Sequence, residues 1–276
     1  MERRAWIPIT ALAALVLLTG CGKAILGASA TEEVEKTIPL AAGGKFSLEN
    51  VNGTVTVTVG EPGVVTVVAR KEIRALDESK AKQALPELKV EVSQNGDEVS
   101  IETVYPKASR SLFGAGLSMS VQYDVKVPRG TEVDLTTLNG NVNVDLPGSK
   151  ASCETTNGSV KVESAQLLSA ASVNGKITFK AEDLEDVSGT NGSISGAITS
   201  LRPRRARVET VNGSVDLTLP RAASFRMEAE NVNGAIQCDF SGPGGSKHEI
   251  TGDVNGGGES ISVSTVNGSV RVRAAA

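Results

Sequence analysis

An Asn-Gly dipeptide, followed one residue later by alternating aliphatics, recurs down the second half of this 276-residue chain. It stands at Asn139-Gly140, Asn157-Gly158, Asn174-Gly175, Asn191-Gly192, Asn212-Gly213, Asn233-Gly234 and Asn267-Gly268, and the first six copies lie 18, 17, 17, 21 and 21 residues apart. A period near 20 marks a chain that coils and stacks on itself, because each unit can bury its apolar face only against its neighbours. A stack of this kind also presents long flat faces more readily than a closed pocket, which bears on function.

Aligned on the Asn, the units share columns. Three residues after it come Val142, Val160, Ile177, Ile194, Val215, Ile236 and Val270; four before it come Leu135, Cys153, Ala170, Val187, Val208, Ala229 and Val263. Aliphatic columns alternate with polar ones, the period of a half-buried strand. Each unit therefore reads as strand, Asn-Gly corner, strand and variable loop. Asn-Gly favours positive φ, so the corners are expected in the left-handed region. The competing reading is a run of plain two-residue hairpins. The connecting loops favour stacking, with the Asn amides bonding along the axis as a ladder. About seven coils at about 4.8 Å make a stack roughly 34 Å tall. Ser241–Gly245 and the Asn255–Gly258 stretch break the pattern and read as an irregular loop.

Upstream, residues 40–128 are strand-rich without the 20-residue period. Phe46–Glu49, Thr54–Val59, Val64–Ile73, Leu88–Ser93, Glu98–Val104 and Met119–Val127 read as strands. A helix is predicted over Asp77–Leu85, capped by Asp77 and ended by Pro86. The chain is thus expected to be all-β: a single-stranded β-solenoid over 129–276, with a strand-rich capping segment over 40–128 that contains one short helix. Residues 21–39 show no pattern and read as a tether. Residues 1–20 read as an export signal, with Arg3 and Arg4 before an apolar run too short for the ~20 residues of a spanning helix. The run ends in Leu18-Thr19-Gly20-Cys21, which resembles the lipobox of bacterial lipoproteins. The resemblance implies cleavage before Cys21, acylation of its thiol and a membrane partner through that lipid. Gly22 at the following position points to the outer membrane if the source is Gram-negative.

Composition excludes several function classes. The net charge is −4, and losing Glu2, Arg3 and Arg4 with the leader takes it to −5, which argues against a nucleic-acid partner. Aromatics are 3% of residues, too few for stacking platforms that grip bases or sugars. His248 is the only histidine, so no His-based triad or multi-His metal site forms within one chain, and no cofactor is implied. Cys153 and Cys238 fall on aliphatic columns four coils apart and are expected as unbridged buried thiols. The sharpest charge feature is Arg202, Arg204, Arg205 and Arg207, in the longer loop between two units. It is a candidate contact for an anionic envelope component such as phospholipid headgroups, set against the plain reading of a solvated loop.

Three further stretches carry a family resemblance: Leu48-Glu49-Asn50-Val51-Asn52-Gly53-Thr54-Val55, the Asp77 helix followed by Leu88-Lys89-Val90-Glu91-Val92, and Tyr123-Asp124-Val125-Lys126-Val127-Pro128. With repeats of the type Val208-Glu209-Thr210-Val211-Asn212-Gly213-Ser214-Val215, residues 40–273 resemble the bacterial DUF4097 family, known also as adhesin-like or toastrack domains. The resemblance implies a β-solenoid without catalytic residues to carry over, with envelope-stress links in some members. The expected function is a lipid-anchored, non-enzymatic envelope protein. It serves as an adhesin-like scaffold or stress sensor that meets an envelope protein or glycan. The alternative is a β-helix enzyme acting on envelope or extracellular polysaccharide.

Overall fold

A computed structural model describes residues 28–106 and 117–275. The leader, Cys21 and residues 107–116 lie outside them. The described chain forms β1 (Ala28–Pro39), β2 (Lys45–Asn52), β3 (Val55–Val59), β4 (Val64–Ala75), α1 (Glu78–Ala84), β5 (Lys89–Asn95), β6 (Glu98–Val104), β7 (Ser118–Val127) and β8 (Glu132–Asn139). It continues through β9 (Val142–Asn157), β10 (Val160–Asn174), β11 (Ile177–Asn191), β12 (Ile194–Ile198), β13 (Ala206–Asn212), β14 (Val215–Pro220) and β15 (Phe225–Asn233). It closes with β16 (Ile236–Cys238), β17 (Gly244–Gly245), β18 (Glu249–Val254), β19 (Ser260–Asn267) and β20 (Val270–Ala275).

The strands stack in two columns, one on each side of the Asn-Gly corner, and every coil pairs in parallel with the next. The row after the corner runs Val55, Val142, Val160, Ile177, Ile194, Val215, Val270 and Ile236, each in register with its neighbour. All eight are buried, so the predicted interior row exists. Two positions further along each strand the fit is large against small: a Cβ on Gly196 would sit 2.2 Å from the Phe179 ring of the coil above, so that ring fills the missing side chain's place.

The order of coils departs from the order of the chain. β19 pairs with β13 on one edge and β15 on the other, and β20 lies between β14 and β16. The Asn267 coil is therefore seventh and the Asn233 coil eighth. The cause is the insert between β16 and β19, of which only Ser241–Gly245 and Asn255–Gly258 are expected from the sequence to be irregular. Gly242 and Gly245 adopt φ of +113° and +152° where the chain turns back, and β18 pairs antiparallel with the outer edge of β15. The last coil then has only the inner edge of β15 to join. Arg271 on β20 is thus paired on both sides, with Asp216 and Gln237, and Arg273 forms an ion pair with Asp216 at 2.7 Å.

At the other end, parallel stacking gives way to antiparallel strands: β4 on β7, β1 on β4, and β5 on β6. The Asn52-Gly53 coil joins the stack directly, as β2 pairs with β8 and β3 with β9. Helix α1 is capped as predicted, with Asp77 accepting from the Ser79 amide at 2.8 Å. Residues 28–39, patternless in sequence, form a twelve-residue strand, β1, along the outer edge of β4. Only Ala30 and Ile38 of this strand are buried, so apolar alternation never develops there.

Beneath this layer Tyr123 is fully buried, its phenol 2.7 Å from the Thr103 hydroxyl. Burial pushes the phenol up to about 12, with the Thr103 bond opposing. The folded protein thus keeps a proton that the unfolded chain releases near pH 10. Stability is full below pH 10 and falls by about 1.4 kcal/mol per pH unit between pH 10 and 12. Denaturant melts of Tyr123→Phe should show a shallower alkaline decline than the parent, at a cost of about 1 kcal/mol at pH 7 for the lost bond.

Candidate functional site

The corners concentrate the features that distinguish this surface. Asn139 bonds Asn52, and Asn157, Asn174, Asn191, Asn212, Asn267 and Asn233 follow in turn, each Nδ2 donating to the Oδ1 of the coil before at 2.7–2.9 Å. The Asn52 amide donates to the Met119 carbonyl, which anchors the ladder at its first rung. The predicted ladder is thus present, and it joins eight coils.

The corner glycines serve a different purpose from the one expected. Gly53 (+126°) and Gly234 (+151°) have positive φ, whereas Gly140, Gly158, Gly175, Gly192, Gly213 and Gly268 do not. At those six positions a Cβ would lie 1.9–2.1 Å from the carbonyl oxygen of the adjoining corner glycine. Glycine is required there by close approach of stacked backbone. The same carbonyls accept buried hydroxyls two residues before the next Asn: Thr155 to Gly140, Ser172 to Gly158, Thr210 to Gly192 and Thr265 to Gly213, at 2.8–3.0 Å. Asn231 takes this place in the eighth coil, and its Oδ1 meets His248 Nδ1 at 2.8 Å.

The position just before each Asn faces solvent. In stack order it reads Val51, Leu138, Thr156, Val173, Thr190, Val211, Val266 and Val232. Five of the seven strongly exposed large apolar residues among those described belong to this one column: Leu138, Val173, Val211, Val232 and Val266, at 40–61% exposure. Val211, Val266 and Val232 occupy adjacent levels, with Val173 and Leu138 continuing the line past Thr190 and Thr156, and clustered apolar exposure of this kind marks contact surfaces on soluble proteins. The ridge forms one wall of a groove of about 500 Å³ that crosses successive coils. The floor is the hydroxyl column with Gly189, and the opposite wall carries Glu154, Ala171, Ser188, Glu209, Ser264 and Glu230. Sequence reading overlooked this column, although strand alternation already places it outward and its Val, Leu and Thr content was legible.

The arginine cluster lies nearby and is partly neutralised; Arg202, Arg204 and Arg205 are in the loop as expected, but Arg207 is on strand β13, paired between Asp186 and Ser262. Arg204 pairs with Asp183 at 3.7 Å, and Arg207 with Glu209 at 2.5 Å. No ion pair involves Arg202 or Arg205 among the described residues. Arg204, Arg205 and Arg207 border a second depression of about 820 Å³ whose other side holds Glu228, Glu230 and Glu259. Of the acidic loop, Asp183 is engaged by Arg204 and Glu185 accepts from Gln166 at 2.9 Å. Burial pushes the Asp186 carboxyl up, reinforced by Glu209 and opposed by Arg207.

Cys153 and Cys238 are free thiols. They sit five coils apart, one more than sequence order implies, because the Asn267 coil intervenes. Cys153 is buried, which pushes its thiol strongly up; Cys238 is only half-buried, beside Met227 at 3.4 Å, and is raised by the same cause.

No family model matches this chain, and no curated protein matches it. Among solved structures, similarity extends to a candidate cell adhesion protein from Clostridium sporogenes, at 13% identity and TM-score 0.36, covering 88% of this chain and 100% of that one. A candidate adhesin from Bacteroides fragilis shows 9% identity and TM-score 0.34, with 88% and 97% covered. A candidate lipid-binding protein from Parabacteroides distasonis shows 12% identity and TM-score 0.41, with 87% and 96% covered. At these values the similarities carry no argument about what the chain does.

Proposed function

We propose that this is a lipid-anchored, non-enzymatic protein of the cell envelope. In this reading the stack is a rigid adhesin-like scaffold, and its contact surface is the apolar ridge and groove at the Asn-Gly corners. The observation that carries the proposal is the clustering of exposed Leu138, Val173, Val211, Val266 and Val232 in one column. A ridge of aliphatics without aromatic rings fits a protein partner better than a glycan, since sugars are gripped by stacking and dense hydrogen bonding. The Leu18–Cys21 phrase supports lipidation at Cys21, and the residues of the DUF4097 resemblance support membership of that family. Envelope-stress sensing is the role this family assignment adds. Arg202 and Arg205 offer a subsidiary contact for anionic headgroups.

Crosslinking in intact cells tests the ridge. Changing Val211, Val232 and Val266 together to Ser should leave the melting transition within about 1 kcal/mol of the parent, since all three face solvent. The same change should remove the crosslinked partner. Undiminished crosslinking by a folded triple variant would show that contact lies elsewhere. In the same cells Cys21→Ser should release the protein from the membrane fraction; retention there would overturn the lipid anchor.

A further inference from the structure

The seventh coil is held by strand pairing on both sides yet enters the stack last in chain order. β13 and β14 form the upper wall of its slot, β15 and β16 the lower wall. Asn267 bridges Asn212 and Asn233, and Thr265 donates to the Gly213 carbonyl, so the slot holds this segment by backbone, amide and hydroxyl together. Within the described residues the coil is tethered only through the stretch Asn255–Gly258. That stretch is a hinge of unusual geometry. Asn255, Gly256 and Gly257 have φ of +48°, +92° and +81°, and Asn255 is the only described non-glycine residue with positive φ. Its side chain holds the bend closed through the Arg221 and Ala223 carbonyls at 3.0 and 2.8 Å.

We propose that the slot between the sixth and eighth coils is an interaction site for a second copy of this chain, which donates its own 259–275 segment in exchange. The exchanged dimer keeps every contact of β19 and β20 and changes only the hinge, where straightening releases a left-handed asparagine. Because exchange adds no new contact, the dimer is favoured by protein concentration and by refolding, when slots stand open before the last coil arrives.

Positions 207 and 262 test this, being in-register neighbours on the outer face of β13 and β19. In a background with Cys21, Cys153 and Cys238 changed to Ala, R207C and S262C combined in one chain should form an intramolecular disulfide, since paired strands hold Cα atoms about 4.8 Å apart. Chains carrying R207C alone and S262C alone are then mixed, unfolded together, refolded over a range of protein concentrations and oxidised. The mixed R207C–S262C dimer should rise with concentration and exceed both like-with-like dimers several-fold; the same chains mixed while folded should give little. Refolding that yields monomers only, or all three dimers in random proportion, would overturn exchange. Failure of the double variant to close within one chain would overturn the slot itself.

Discussion

Gly175→Ala should unfold the stack at a far lower denaturant concentration than the parent, with a loss of at least about 3 kcal/mol. The added methyl would lie 1.9 Å from the Gly158 carbonyl oxygen, 2.5 Å from its carbon and 3.1 Å from the Ser159 nitrogen. All three are backbone atoms. They cannot step aside, because the Gly158 amide bonds Asn174 and the Gly175 amide bonds Asn191, tying each corner to the next. Relief requires prising two coils apart at their tightest point. Gly244→Ala is the control: no heavy atom lies within 4 Å of its Cβ and its φ is not left-handed, so it should stay within about 1 kcal/mol of the parent. Equal melting of the two variants would remove close approach as the reason for glycine at the corners.

Val215→Asp is expected to be as damaging by a different route. Val215 is 1% exposed, in register between Ile194 and Val270. A carboxylate there has no polar partner and no path to water, so the cost is several kcal/mol, paid by unfolding or by protonation of the new group. One residue on, Asp216 points outward and pairs with Arg273. Exposed pairs contribute about 0–1 kcal/mol, so Asp216→Val should melt within about 1 kcal/mol of the parent. Thermal melts ranking these two in the opposite order would invert the assignment of inner and outer faces.

The two variants probe different layers of legibility. The Val215 row was readable because strand alternation is local: two residues take a side chain from one face to the other whatever lies above it. The Asp77 cap was readable for a similarly local reason, since the carboxylate and the amide it accepts from are two residues apart. The corner glycines were recognised for an incorrect reason. Propensity associates Asn-Gly with a left-handed bend, whereas the clash that selects glycine here comes from a coil some 17 to 21 residues away in most cases. Strand β1 went unread for a related cause, since an edge strand with two buried residues gains its order from pairing with β4 and not from an apolar face. The contact ridge lay midway: its outward direction followed from parity, but its continuity required knowing which coils are neighbours.

By itself the sequence determined the coil: where it bends, which side chains enter the interior, and that the corner amides bond from one level to the next. These follow from backbone geometry within about 20 residues and from an apolar pattern that has one low-energy way to be buried. Only the tertiary structure decided the order of the coils. Every coil offers its neighbours nearly the same strand edges and the same Asn-Gly corner, so local chemistry cannot rank Asn233 against Asn267 beside Asn212. The choice is made by β18, which occupies the outer edge of β15 and leaves the final coil the inner one.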